Sequence, residues 1–154
     1  MEDTLRSGLL SVVLPSYNEE ASIPRAADTI TAILIDADIP HELVFVDDGS
    51  RDRTWTVIQE QAGRHPQVRG VRFSRNFGKE AAIFAGLAQA RGDCTLVMDC
   101  DLQHPPEKAV EMYRLWQEGY QVVEGVKASR GKENPLHTFA AKSFYSIISR
   151  ATGI

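Results

Sequence analysis

VMDCDLQHPPE, residues 97–107, sets the reading of the whole chain. An apolar run ends in two aspartates one residue apart, then meets Gln103, His104 and two prolines. Prolines end a strand and open a helix. Outward from this stretch the same alternation repeats. LLSVVLP (9–15), ELVFVDDGS (42–50), VRGVRF (68–73), CTLVMD (94–99) and YQVVEG (120–125) have the length and β-branched content of buried strands. Helical patterns separate them. The first has Ser22 as its cap, Pro24 in its first turn, and a stripe of Ile23, Ala26, Ala27, Ile30, Ile33 and Leu34. The second is capped by Asp52 and runs through Trp55 and Ile58 to about Ala62. Gly78 to Ala90 predicts a helix of small residues that packs closely. Pro105 and Pro106 open one through Val110, Tyr113 and Trp116, and a last one starts near Pro135. Strands alternating with helices predict an α/β domain with a mostly parallel sheet.

The chain has 154 residues, the size of one domain. It is 43% hydrophobic and 25% charged with a net charge of −4, which gives no general pull toward nucleic acid or anionic lipid. Basic residues cluster at RNFGK (75–79) and from Lys127 onward, a pattern that suits one anionic ligand. The two cysteines, Cys94 and Cys100, form neither a zinc pattern nor a disulfide framework, so a reducing cytosol is expected. MEDTLRSGLL lacks the features of a signal peptide, and no apolar run approaches the ~20 residues of a membrane span.

Ligands of open α/β sheets bind beyond the carboxyl ends of the strands. Four strand ends carry polar segments: PSYNEE (15–20), DDGS (47–50), SRNFGKE (74–80) and DCDLQ (99–103). In parallel strands they gather on one rim. PSYNEE contains no glycine, which argues against a dinucleotide-binding loop of the G-x-G-x-x-G type. A diphosphate would then be neutralised by a divalent cation, Mg²⁺ or Mn²⁺, held by Asp99 and Asp101. Alternate residues of a strand point the same way, so both carboxylates could face one ion; a solvated acidic turn is the alternative. One of Asp47 and Asp48 could accept from a base or ribose, the other closing an Asx turn before Gly49. Tyr17 could lie against a base, Glu19 could meet base or ribose, and Arg75 and Lys79 could meet phosphate. The four histidines, at 41, 65, 104 and 137, form no catalytic set.

With these residues placed, the chain resembles the family-2 glycosyltransferases of the GT-A fold, a three-layer α/β sandwich. Within them it is most similar to the bacterial polyprenyl-phosphate (bactoprenol) glycosyltransferases, related to dolichol-phosphate mannose synthase. The similar blocks are VVLPSYNEE, VFVDDGSRDRT, FSRNFGKEAAIFAGLAQARGD, VMDCDLQHPPE and VVEGVKASRGKE, in the family's order over nearly the whole chain. The resemblance implies that Pro15, Tyr17 and Glu19 line a nucleotide pocket and that Asp47 or Asp48 holds the base. It implies that Asp99 and Asp101 are the catalytic, metal-binding pair, with Asp101 the more direct ligand. Gln103 would support the sugar-phosphate side and Lys127 would face the diphosphate. At Lys127 the family usually has Arg, so the bidentate fork is lost there. The family also continues into a G-D-F-R-type acceptor segment, interfacial helices and membrane spans. The expected domain is therefore a single catalytic domain over 1–154, incomplete at its C-terminus.

The implied reaction moves a hexose, glucose by the resemblance, from a UDP-sugar to a polyprenyl phosphate, with metal and with inversion. An inactive nucleotide-sugar-binding module without its acceptor half is the alternative. A haloacid-dehalogenase-type phosphatase also uses D-x-D, but after its first strand. The full-length family implies the cytoplasmic face of the inner membrane, leaves a homo-oligomer open and excludes nucleic acid as a partner. This chain alone is expected in the cytosol or at the membrane periphery, with an exposed sheet edge that favours self-association.

Overall fold

LSVVLPS forms strand β1 (Leu10–Ser16), buried at six positions and half-buried at Pro15. A strand covered on both faces reads as a continuous apolar run because parallel sheets carry helices on each side. The computed structural model describes residues 5–126. The fold that follows is that of the described residues up to Val123, the first of two units of the chain. After β1 come α1 (Ile23–Asp36), β2 (His41–Asp47), α2 (Thr54–Arg64), β3 (Val68–Arg72), α3 (Lys79–Gln89), β4 (Cys94–Val97) and α4 (Lys108–Gln117).

The sheet has the order β3-β2-β1-β4 with every pair parallel. Ser16 stands opposite Asp47, and Asp47 opposite Arg72, so three strands finish level. β4 leaves the ladder earlier, with Val97 opposite Val13. The period-2 alternation of β1 divides the core. Leu10, Val12 and Leu14 join Leu43, Phe45 and the apolar stripes of α1, α2 and α4 on one face. Val13, Val44 and Val46 meet Ala82 of α3 on the other. Each large side chain fully buried here, Phe45, Leu14 and Ile23 among them, contributes about 1.5–3 kcal/mol. Helix α3 is the close-packing helix of small residues that the sequence predicts. A Cβ at Gly86 would collide with the Val13 side chain, so the absence of a side chain sets the distance of α3 from the sheet.

At the amino end of the sheet Glu42 anchors a buried polar network. Its Oε1 accepts from the Ser11 hydroxyl and the Arg91 N–H, both at 2.7 Å, and Arg69 Nε donates to Oε2 at 2.9 Å. This end carries structure; the opposite end carries the loops of interest.

Three expectations need correction. Residues 120–126 form no strand, and Val122 and Val126 are 79% and 83% exposed. A strand-type sequence becomes a strand only when a neighbour supplies ladder bonds, and among the described residues nothing pairs with the outer edge of β4. β4 stops at Val97 rather than Asp99. Ser22 does precede α1, but its side chain makes no capping bond; its N–H and that of Ile23 turn back to the Glu19 carbonyl. The helix expected near Pro135 lies outside the described residues. No helix among the described residues is long and apolar enough to cross a membrane.

Candidate functional site

All four strands end at one rim, and each is followed by a loop that turns at a residue of positive φ. These are Asn18 (51°), Gly49 (65°), Gly78 (103°) and Leu102 (56°). Glycine takes such angles freely and asparagine tolerates them, whereas Leu102 costs on the order of 1 kcal/mol. Four of the six residues of positive φ among the described residues lie at this rim; the other two, Asp38 and Gly119, follow α1 and α4.

The loops are joined to one another around a ring. The Asn18 N–H donates to Ser50 Oγ at 2.9 Å, the Arg51 N–H returns to Asn18 Oδ1 at 2.9 Å, and the Glu19 N–H donates to Thr54 Oγ1 at 2.8 Å. Asp52 accepts from the Thr54 N–H at 2.9 Å and the Glu20 N–H at 3.3 Å; it stands one residue before the N-cap of α2, which is Arg53 rather than the expected Asp52. Burial opposes its charge, but the Thr54 and Glu20 hydrogen bonds prevail and hold its carboxyl below the usual range. The next junction is made by Asp48. Its carboxylate accepts from the Phe77 N–H at 2.8 Å, the Gly78 N–H at 3.2 Å and Asn76 Nδ2 at 3.2 Å. Lys79 Nζ then reaches Asp99 Oδ1 at 2.7 Å. Cys100 Sγ closes the ring against Ser16 Oγ at 3.0 Å.

Inside the ring lies a cleft lined by Pro15, Ser16, Tyr17, Glu19, Asp48, Lys79, Ala82, Asp99, Cys100 and Asp101. It sits beyond the carboxyl ends of β1 and β4. These neighbours are the strands at which the chain order reverses, the switch point where open α/β sheets leave a crevice. Seven of the residues expected at the site line this cleft: Pro15, Tyr17, Glu19, Asp48, Lys79, Asp99 and Asp101. The two acids reach it from a turn beyond the strand end, not from the strand itself, with Met98 N–H still bonded to the Val13 carbonyl. A second hollow, between β4 and α4, is lined mainly by apolar side chains such as Leu96, Met112 and Trp116 and gathers no acid pair.

Other expected residues fall elsewhere. Asp47 is fully buried and absent from the cleft lining. Its Oδ1 accepts the Ser50 N–H at 3.0 Å, while Oδ2 has Arg72 Nε at 3.7 Å and no hydrogen-bond donor among the described residues. Gln103 does not line the cleft; its N–H donates to Asp101 Oδ1 at 3.2 Å. Arg75 lies with its guanidinium 4.4 Å from the Phe77 ring centre. Lys127 lies outside the described residues. Sequence reasoning missed Ser16 and Cys100 as neighbours beneath the acids, and it did not pair Lys79 with Asp99.

The family model for glycosyl transferase family 2 matches residues 11–152. The chain belongs to glycosyl transferase family 2. Among curated relatives, it is 40% identical over 144 residues to the uncharacterized glycosyltransferase YkcC of Bacillus subtilis, covering 94% of this chain and 45% of that protein. It is 38% identical over 147 residues to the undecaprenyl-phosphate 4-deoxy-4-formamido-L-arabinose transferase of Pseudomonas aeruginosa, covering 95% and 43%. The chain thus spans just under half the length of these relatives. Among solved structures, it overlays a mannosyltransferase of Pyrobaculum calidifontis, in complex with GDP-mannose and Mn²⁺, with a TM-score of 0.63 at 24% identity. That overlay covers 77% of this chain and 34% of the other. The fold is the expected GT-A arrangement.

In this family 2 chain the donor set suits a hard divalent cation. Among the described residues no three His, Cys, Asp or Glu side chains converge as a closed cage. Two carboxylates, Asp99 and Asp101, open onto one cleft. Mg²⁺-type ions are commonly held by one or two carboxylates, with phosphate and water completing the shell. Asp99 Oδ1 already carries a positive group, the Lys79 ammonium, where a cation would sit.

Proposed function

We propose that this chain holds the donor in a metal-dependent, inverting glycosyltransferase that moves a hexose from a UDP-sugar to a polyprenyl phosphate. The observation that carries the reading is the gathering of Pro15 at the end of β1 with Tyr17, Glu19, Asp48, Asp99 and Asp101 from three different loops around one cleft at the β1/β4 switch point. The undecaprenyl-phosphate transferase relative supports the acceptor class, and the GDP-mannose and Mn²⁺ of the mannosyltransferase support a nucleotide-sugar with a divalent ion.

Each residue has a role in this reading. Tyr17, 43% exposed at the mouth, lies against the base. Asp48 rather than Asp47 meets the base or ribose, since Asp48 alone of the two lines the cleft. Asp99 and Asp101 hold Mg²⁺ or Mn²⁺, with Gln103 and Lys127 on the sugar-phosphate side. A bound ion there would supply positive charge against that developing on the leaving diphosphate. An acceptor phosphate is anionic near neutral pH, so its oxygen attacks the anomeric carbon as the bond to the diphosphate breaks on the opposite face. Positioning then contributes more than proton transfer. On this reading the reaction, as in the full-length family, would lie at the cytoplasmic face of the inner membrane.

Titration calorimetry with UDP-glucose and GDP-mannose, with and without Mn²⁺, tests the reading. UDP-glucose is expected to bind in a Mn²⁺-dependent way, and Asp101→Ala to weaken it at least about tenfold, or 1.4 kcal/mol. Binding indifferent to both metal and mutation overturns the metal assignment. A second reading is a module that binds donor without transferring it. It is favoured by the match to just under half of the relatives' length. Transfer of labelled glucose to undecaprenyl phosphate by the purified chain would exclude it.

A further inference from the structure

We propose that Lys79 is an internal placeholder for the cation at Asp99, and that it moves to the donor's diphosphate when the ion arrives. The inference rests on the donor-site reading above and adds a residue that controls how metal and donor enter together.

The ring of loop contacts is uneven. The first junction, after β1 and β2, uses three hydrogen bonds from backbone N–H groups to side-chain oxygens. The junction at Asp48 uses a carboxylate only 4% exposed. The junction at Cys100 lies under the cleft, with both Ser16 and Cys100 at 2% exposure. The remaining junction, between residues 74–79 and 98–106, is the Lys79–Asp99 ion pair. Among the described residues no other hydrogen bond or ion pair joins these two segments. Its side chains are 59% and 39% exposed. It is the link that can open without disturbing buried structure.

The root of Lys79 is fixed and its tip is not. Lys79 is the first residue of α3, directly after Gly78, whose N–H is held by Asp48. Ala82, one turn on, is fully buried against the sheet. Beyond that anchor a flexible four-carbon stem carries the ammonium. Lys79 lines the same cleft as both acids. With no ion bound, its charge relieves the repulsion of two neighbouring carboxylates. A divalent ion on Asp99 would face the ammonium as a like charge and displace it. A diphosphate arriving with that ion offers the ammonium a new partner. Metal and nucleotide then bind with positive coupling, and the coupling passes through this side chain.

The experiment compares wild type, Lys79→Met, Lys79→Arg and Arg75→Gln in the full chain. Mn²⁺ binding is read from the EPR signal of the free ion, and UDP and GDP binding by calorimetry with and without Mn²⁺. Lys79→Met is expected to bind Mn²⁺ about threefold tighter when no nucleotide is present. It should bind the nucleotide more weakly at saturating Mn²⁺, with the coupling between the two reduced. Lys79→Arg keeps the charge and retains the wild-type pattern. Arg75→Gln removes a nearby charge that does not line the cleft and leaves Mn²⁺ affinity unchanged. Mn²⁺ binding by Lys79→Met no tighter than by wild type overturns the inference and leaves the donor-site reading standing. An equal shift in Arg75→Gln does the same. Mn²⁺ bound by none of the proteins, with or without nucleotide, overturns both.

Discussion

The Ser16 hydroxyl and the Cys100 thiol meet at 3.0 Å beneath the cleft, joining the end of β1 to the turn after β4. Cys100 stands between Asp99 and Asp101, so this contact fixes the middle of the acidic turn. Burial pushes the thiol up to about 12, with the charges of Glu19, Asp99 and Asp101 adding and the Ser16 hydrogen bond opposing. Burial and Asp93 push Cys94 up to about 11. Both thiols are therefore protonated and slow to react at pH 8. Thiol titration should find neither in the native protein within minutes and both in denaturant. Prompt native reaction of Cys100 would show that the turn does not rest on Ser16.

Asp48 is expected to be a structural tie as well as a cleft residue. Its carboxylate receives the N–H groups of Phe77 and Gly78 and the side-chain amide of Asn76. Asp48→Ala removes every one of these acceptors. Bonds to a charged acceptor contribute about 1.5–3 kcal/mol each. Amide exchange at Phe77 and Gly78 should rise at least about tenfold, while exchange in β1 changes little. Unchanged protection at both amides would mean that the loop holds itself.

Gly49 explains why the second rim motif is DDG. Its φ of 65° is left-handed, and a Cβ there would run into the backbone of Arg75 and Asn76. Backbone cannot turn aside as a side chain tip can. Gly49→Ala should destabilise the fold by about 2 kcal/mol or more, from the strained φ and the collision together. Urea unfolding checks this, and a loss below about 0.5 kcal/mol would show that the two loops can separate freely.

The elements that depend on local pattern could be read before the structure. β1 and β3 fall within a residue of the runs 9–15 and 68–73, and the gathering of the four polar segments on one rim follows from parallel order alone. What could not be read depends on partners distant in sequence. YQVVEG has a strand's composition, but no neighbouring strand among the described residues completes it. Asp47 and Asp48 are alike in sequence and both buried, and their different partners, Ser50 and Phe77, go with one lying away from the cleft and the other lining it. The pairing of Lys79 with Asp99 spans 20 residues and leaves no local trace. Ser22 shows the converse: the residue type of a cap is present while the capping bond is not.

Acid should weaken the fold from the end opposite the cleft. Burial raises the Glu42 carboxyl, but the Arg91 N–H, the Ser11 hydroxyl and Arg69 outweigh it and hold it below its ordinary 4.5. The folded state therefore binds this proton less readily than the unfolded chain does. The resulting stability is present above about pH 4.5 and is lost as pH falls through the lower folded value. Glu42→Gln removes the charge that Arg69 and the Arg91 N–H point at, which costs about 1.5–3 kcal/mol at pH 7. It should also flatten the fall in stability below pH 4.5. Urea midpoints measured from pH 3 to pH 7 test both effects. A mutant with a normal midpoint at pH 7 and an undiminished acid loss would place the acid-sensitive group elsewhere, with Asp52, also held low by hydrogen bonds, the next to substitute.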